Sequence, residues 1–414
     1  MYQNYGNNRN NGYRSASYRK KRNKKRIRNR VIIVATGLLL IFLIIWMITG
    51  MFSCMCNGCT CGGANDAPVI TETVDPNKNT DNKKPDNKKP KKNNDDSNAN
   101  ITTVFATPEI KDENPDSVGE TVNGLYIWDK IAFEMFYGTP EVATRYADTV
   151  NKMQKNLGNI KVYSMIIPNH TEMGLPSRLK NVEGGATTTS QADFIKSAYE
   201  NMNKKVTPIN CYNELAKHCD EYIYFSSDHH WTGLGAYYAY KSFADQTGQK
   251  AINLEDCEKH SIPDFTGSFH TSVGSKVNAD TVDFWTFPYE VPTTITNKNY
   301  ETNDYSSCFY MAETSGSVSY GVFLWGDNPL EVIKSQCETA KDEKILIVHE
   351  SYGNPLVPFF TYNYKEVHSI DFRYWKGNLY DYCVDNNITN VVFANGVMSA
   401  ATATQLDAIE SLLG

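Results

Sequence analysis

The chain has 414 residues, 41% of them hydrophobic and 12% aromatic, which is ample material for one large core. Its net charge of −6 hides an asymmetry: residues 1–30 carry eleven Lys/Arg and no acids, leaving 30 Lys/Arg against 47 Asp/Glu, a net of −17, in the other 384. So acidic a bulk excludes nucleic acid as a natural partner and disfavours anionic polymers; neutral or amino-bearing glycans suit it better.

Residues 1–13, rich in Asn, Tyr and Gly, read as a disordered tail. Ten basic residues then crowd between Arg14 and Arg30. Such a run can serve as a nucleic-acid arm, but Val31–Phe52 follows it, 22 residues without a charge, enough for one membrane-spanning helix. Basic residues on its N-terminal flank keep that side in the cytoplasm. The expectation is an uncleaved signal anchor: cytoplasmic tail 1–30, span 31–52, and an extracellular C-terminal bulk held at the cell membrane by a single pass. A cleaved signal fits less well, since the apolar run is too long and no small-x-small site follows it.

Residues 53–117 read as a juxtamembrane segment and linker. Cys54, Cys56, Cys59 and Cys61 lie just past the span, in a spacing that lacks the second paired knuckle of a zinc ribbon, so disulfides between protomers or membrane-edge thiols are the plainer readings. From Gly62 to Asn100 the chain is Asn, Asp, Lys and Pro with seven basic and seven acidic residues, a solvated spacer that cannot bury a core.

Residues 118–414 have globular patterning. Glu141–Leu157 places Val142, Tyr146, Val150, Met153 and Leu157 on one helical face. Lys161–Ile167 reads as a buried strand ending in Pro168-Asn169-His170, where an open α/β sheet places ligands, so His170 is a cleft candidate. Ala192–Lys205 reads as a helix, Tyr222–Phe225 as a strand and Trp231–Gln246 as a helix. Residues 251–340 look like an insertion containing strands at Val282–Phe287 and Val318–Leu324, with a turn at Phe265–Ser268 facing the site. Strands at Lys344–His349, Val367–Asp371 and Ile388–Asn395 and a helix at Thr402–Leu413 complete an alternation that favours a parallel sheet covered on both faces. The six cysteines of this region read as structural; an exported location permits disulfides, and Cys211 and Cys219 straddle a short helix and are candidates to pair.

Two stretches carry chemistry. In Ser226-Ser227-Asp228-His229-His230-Trp231-Thr232, an acid and an imidazole two residues apart on extended chain share a side, so Asp228 can orient His230. In Lys344-Ile345-Leu346-Ile347-Val348-His349-Glu350-Ser351-Tyr352-Gly353-Asn354, an apolar strand breaks into a turn exposing the Ser351 hydroxyl. Together they supply a nucleophile, base and acid. The bland alternative is that Asp228 caps the helix near Trp231 and both histidines are structural.

The box, the serine turn and the flanking Gly124-Leu125-Tyr126-Ile127-Trp128, Met165-Ile166-Ile167-Pro168 and Ile370-Asp371-Phe372-Arg373-Tyr374 resemble the DHHW family of bacterial exported proteins. That family is similar to the SGNH-hydrolase-like domain of alginate O-acetyltransferases. The resemblance implies an α/β, three-layer SGNH-like domain with a mainly parallel sheet, and movement or removal of an O-acyl group, with acetyl the expected group, on a cell-surface polysaccharide. It further implies work alongside a membrane-bound O-acyltransferase.

In that reading Ser351 is the nucleophile, His230 the base and Asp228 its orienting acid. The oxyanion donors are backbone amides after Ser351, beginning at Tyr352 where a helix is expected to start, with the Asn354 amide as a further candidate. The resemblance adds Asn395 at a strand end, whose plain reading is a turn residue before Gly396. Asp371 and Arg373 anchor substrate or, more simply, form an internal ion pair. One departure is His349-Glu350 before the serine, where related enzymes carry a glycine, which leaves an inactive glycan-binding or scaffold protein as the alternative. A metal site from Asp228, His229 or His230, and His170 lacks any supporting spacing, and neither metal nor cofactor is expected.

Overall fold

The computed structural model describes residues 103–311 and 315–414. The tail, apolar run, cysteine cluster and spacer expected within residues 1–102 lie outside the described residues. Among the described residues, no helix is long and apolar enough to cross a membrane. The docked chain begins ahead of Val118: Arg178 grips Asp112 through Nε (2.5 Å) and Nη2 (3.1 Å) and donates to the carbonyls of Ser117 and Asn114. Phe105 sets its ring edge-on to Tyr212.

Strands β1 (Glu120–Val122), β2 (Leu125–Trp128) and β3 (Ile131–Glu134) make a small antiparallel sheet. Strand alternation sorts the four buried residues of β2 to two sides. Leu125 and Ile127 pack with Phe269 and Val273, while Tyr126 and Trp128 pack with Leu175 and Leu179. Helix α1 (Pro140–Leu157) starts where Thr139 accepts from the Val142 N–H and Pro140 supplies a preset first residue, and it stops at Gly158, φ 66°. It buries Tyr146, Val150, Met153 and Leu157 as the periodicity requires.

There follow β4 (Lys161–Ile167), α2 (Gln191–Glu200), β5 (Val206–Pro208), α3 (Gly233–Gln246), the pair β6 (Glu258–Phe265) and β7 (Asp280–Thr286), then β8 (Thr293–Thr296), β9 (Thr302–Tyr305), β10 (Leu330–Lys334), β11 (Lys341–His349), β12 (Tyr364–Asp371), α4 (Leu379–Asp385), β13 (Asn390–Gly396) and α5 (Ala403–Glu410). The main sheet has the order β5-β4-β13-β11-β12-β10-β8-β9. From β5 to β12 neighbouring strands run parallel; β10, β8 and β9 add antiparallel pairs. The sheet is therefore mixed rather than mainly parallel, because the region read as an insertion extends the sheet edge with the short strands β8, β9 and β10.

Three layers follow from the alternation along β4. Ser164 contacts the Tyr146 hydroxyl of α1, at 3.1 Å, while the adjacent Tyr163 meets Phe243 of α3 edge-on. Successive strand residues point to opposite faces, so α1 and α3 cover opposite sides. Helix α5 joins the α1 side through Lys152–Glu410 and Arg145–Asp407 ion pairs.

Several expectations change. Tyr222–Phe225 is no sheet strand; Tyr224 only bridges back to Trp231 across a loop. Val318–Leu324 lies mostly in a 3-10 helix, Gly316–Val322. The helix expected over Ala192–Lys205 ends at Glu200. All six cysteines of the domain are free thiols, Cys211 and Cys219 included; Cys211 is buried with its Sγ 3.4 Å from the Ile166 carbonyl.

Candidate active site

The parallel core aims its carboxyl ends at one place. β11 lies between β13 and β12, so the chain beyond His349 carries Ser351 between the Gly396 end of one neighbour and the Asp371 end of the other. Open α/β sheets place ligands at this edge. Related enzymes place the glycine at the position of His349; neither His349 nor Glu350 has a positive φ, and Glu350 is extended at −109°, so the backbone here does not call for one before the serine. The constraint falls after it instead: a Cβ on Gly353 would sit 2.1 Å from Cγ of His349. A three-residue 3-10 turn, Ser351–Gly353, follows, and not the α-helix whose dipole was expected to help. Gly353 N–H donates to Glu350 O (2.7 Å) and Asn354 N–H to Ser351 O (3.2 Å); the N–H groups of Ser351 and Tyr352 take no part in these bonds.

The Asp228 loop is built by side chains distant in sequence. One carboxylate, Asp280, accepts from Tyr222 Oη (2.6 Å), from the N–H of Ser226 (2.9 Å) and Ser227 (2.7 Å), and from Ser227 Oγ (2.5 Å). Thr232 caps α3 by accepting from Gly235 N–H, so capping is not the task of Asp228. Trp231 is fully buried and donates its indole N–H to the Tyr352 carbonyl at 2.9 Å, tying the loop to the serine turn.

These two segments bring Asp228, His230 and Ser351 into one hydrogen-bonded run. His230 Nδ1 lies 2.5 Å from Asp228 Oδ1, and His230 Nε2 lies 2.8 Å from Ser351 Oγ. An ionised carboxylate can only accept, so the imidazole proton sits on Nδ1 and Nε2 is left to accept from the serine hydroxyl. Asp228 also takes the His230 N–H (3.0 Å) on Oδ1 and the Ser268 N–H (2.6 Å) on Oδ2. Burial opposes its charge, but the imidazoles of His230 and His229 and the Ser268 amide outweigh it, holding the carboxyl well below its usual range. Tyr320 stacks on the His230 ring, centroids 4.1 Å apart, and donates to the Ser351 carbonyl at 2.9 Å.

Ser351 opens on a pocket of about 270 Å³ whose walls include Glu134, His229, Glu350, Tyr352 and Arg373. Burial raises the pKa of Glu134, with the His230 charge pulling back. Burial likewise raises that of Glu350, against the Gly396 N–H and Asn395 amide that hydrogen-bond it. Burial and the neighbouring His230 charge push His229 down to about 4, so it is neutral at ordinary pH.

The remaining sequence candidates fall into place unevenly. Tyr352 lines the pocket, with its hydroxyl donating to the His229 carbonyl. Arg373 also lines it, but Nε and Nη2 clasp Asp371 (2.9 and 2.6 Å) and Nη2 reaches Asp327 (3.1 Å), the internal ion pair. Asn395 and Asn354 each hold a protein partner: the Asn395 amide donates to Glu350 Oε2 (3.2 Å) and its oxygen accepts from Tyr146 Oη (3.0 Å), while the Asn354 amide donates to Asp327 (3.0 Å). An amide nitrogen carries two protons, so each of these bonds takes one donor of the two. His170 sits apart, stacked on Tyr224 and bordering a different pocket with Trp128.

The turn expected to face the site, Phe265–Ser268, does so through the Ser268 N–H on Asp228; sequence reading missed Asp280 and Tyr320, and no local motif marks them. His349 points away from the serine hydroxyl, with Nε2 on Ser369 Oγ (2.6 Å). Asp228, His229 and His230 each place a potential ligand atom within 4.8 Å of the others. Those atoms are committed, however: Asp228 to His230, His230 to Ser351, and His229 Nδ1 to Ser268 Oγ at 2.8 Å. His170 does not join them.

Comparison with known proteins bears on the family and the fold. A DHHW family protein from Eubacterium siraeum superposes with a TM-score of 0.65 at 26% identity, covering 72% of this chain and 98% of that one. PatB1 of Bacillus cereus, solved with a sulfonyl adduct, superposes with a TM-score of 0.56 at 18% identity, covering 68% and 96%, a likeness of fold. No curated protein matches the sequence. The family model described as DHHW protein matches residues 70–370, and the chain belongs to the DHHW family.

Proposed function

We propose that this protein is an extracytoplasmic serine-dependent O-acyl transferase or esterase of SGNH-like type, with acetyl the expected group and a cell-surface polysaccharide the expected substrate. The observation that carries the reading is the unbroken run from Ser351 Oγ through His230 to Asp228 at the mouth of a pocket. In this mechanism His230 Nε2 takes the hydroxyl proton as Ser351 Oγ attacks the ester carbonyl, and Asp228 stabilises the imidazolium that forms. The proton passes to the departing alcohol. A sugar hydroxyl or water then attacks acetyl-Ser351, giving its proton to the same nitrogen, and Ser351 leaves with it restored. The oxyanion is assigned to the N–H groups of Ser351 and Tyr352, which the turn leaves out of its own bonds.

In the same reading the apolar run at 31–52 holds the domain outside the membrane, within reach of acyl groups brought across by a membrane-bound O-acyltransferase. The rival, an inactive glycan-binding or scaffold protein, drew on the missing glycine at the position of His349, and neither His349 nor Glu350 has a positive φ that would call for one.

The test is hydrolysis of p-nitrophenyl acetate by the full chain. Ser351→Ala and His230→Ala are each expected to lower kcat/KM at least about a thousandfold while melting cooperatively as the wild type does. Wild-type rates in either variant would overturn the reading.

A further inference from the structure

One part of the Ser351 pocket lining comes from the chain that leaves β13: Gly396, Met398, Ser399, Thr402 and, on α5, Gln405. Two polar atoms there are buried without a hydrogen-bond partner, Ser399 Oγ and Gln405 Oε1. Ser399 is 9% exposed, so solvent is a poor substitute. Native proteins rarely leave such atoms orphaned, and two on one wall of one pocket ask for a ligand with hydroxyl groups. In the same lining, the Glu134 carboxylate is partly buried and, among the described residues, takes part in no hydrogen bond or ion pair.

The pocket also has a charge preference. Its one lining guanidinium, Arg373, is held by Asp371 and Asp327, and His229 is neutral. An anionic group entering beside Glu134 and Glu350 meets no free cation among the lining residues. The volume of about 270 Å³ lies just under the range of roughly 300–1,000 Å³ that encloses a drug-sized molecule, so it takes one unit of a longer chain.

We propose that Ser399 and Gln405 form the acceptor subsite, and that it takes a hydroxyl-rich sugar unit bearing no carboxylate or phosphate, neutral or amine-substituted. This rests on Ser351 being the nucleophile. The sugar oxygen bonds to the acetyl carbon as the Ser351 ester bond breaks, and its proton moves to His230 Nε2 and on to Ser351 Oγ. Ser399 and Gln405 hold neighbouring hydroxyls while Met398 lies against the ring.

The experiment is calorimetric titration of the full chain in detergent, carrying Ser351→Ala to remove turnover. The probes are length-matched oligomers of glucose, N-acetylglucosamine, glucosamine and a uronic acid. At least one of the three non-acidic oligomers should bind at least tenfold more tightly than the oligouronate, and Ser399→Ala or Gln405→Met should each weaken that binding about fivefold. Equal or tighter binding of the oligouronate overturns the proposal. So does the absence of binding by all three other sugars, or unchanged affinity in both variants when both melt as the parent does. Failure of the nucleophile reading shows separately: sugar binding with no wild-type p-nitrophenyl acetate turnover contradicts the nucleophile, whereas turnover without sugar binding contradicts the subsite.

Discussion

At the scale of single residues, the Asp228 carboxylate decides which nitrogen of His230 faces Ser351. Being an acceptor on both oxygens, it fixes the proton on Nδ1 and accepts the His230 and Ser268 amides as well. Asp228→Asn keeps the shape but offers an amide in place of one oxygen, which favours the tautomer with its proton on Nε2. Ester hydrolysis should fall by about 10³–10⁴-fold with little change in melting temperature; steady-state kinetics beside thermal unfolding measures both. The three residues of the run were legible in sequence because an acid and a histidine two apart share a side on extended chain, and because a strand breaking at a serine is a local event. Asp280, Tyr320, Ser399 and Gln405 were not, since each acts through a partner 30 or more residues away or through an absence of partners. Asn395 was marked by its strand-end position, while its partners Glu350 and Tyr146 lie far off in sequence and were not legible there.

At the scale of elements, the site depends on close backbone approach at a loop that sequence reading took for a strand and turn. The Asp228 loop gains its shape from Asp280 and from the segment entering the Ser268–Val273 helix. Gly267 makes that contact possible, because a Cβ there would meet Asp228 Oδ2 at 2.3 Å and its Cγ at 2.6 Å. Gly267→Ala should therefore push the carboxylate off His230. The expected outcome is loss of about 1–3 kcal/mol of stability, typical of overpacking, with kcat reduced at least tenfold under conditions where the protein remains folded. Urea unfolding with parallel kinetics checks it, and wild-type values of both would count against the contact. Strands β4, β11 and β13 were readable because buried parallel strands carry continuous apolar runs. The helix α1 was readable from its period. Val318–Leu324 was not, since a 3-10 turn and a strand share short apolar-polar alternation.

At the scale of the whole molecule, acid stability combines opposing groups. Burial lowers the folded pKa of His170 to about 4, and burial with the His230 charge does the same for His229. The unfolded chain takes up these protons near pH 6.5 and the folded chain does not, so their stabilisation is present above about pH 6.5 and is lost as pH falls towards 4. The buried carboxyls Glu134, Glu331 and Glu350, raised by burial, act in the opposite sense. A variant difference isolates one group. His170→Gln should lose less stability than the wild type between pH 7 and 5, by up to about 1.4 kcal/mol per pH unit. Parallel denaturation curves across that window would contradict the assignment. The layered α/β plan was visible in strand–helix alternation, whereas the antiparallel edge of the sheet was hidden in a region whose strands are short and whose pairing is long-range.

The central claim is that Ser351 carries the acyl group between donor and acceptor, and trapping that intermediate tests it most directly. The full chain would be mixed with p-nitrophenyl acetate, quenched in acid within the first turnover, and mapped by peptide mass spectrometry. One acetyl group on the peptide containing Ser351, absent after His230→Ala, is the expected result. Continued release of p-nitrophenol with Ser351 unmodified, and equally fast release by Ser351→Ala, would contradict it.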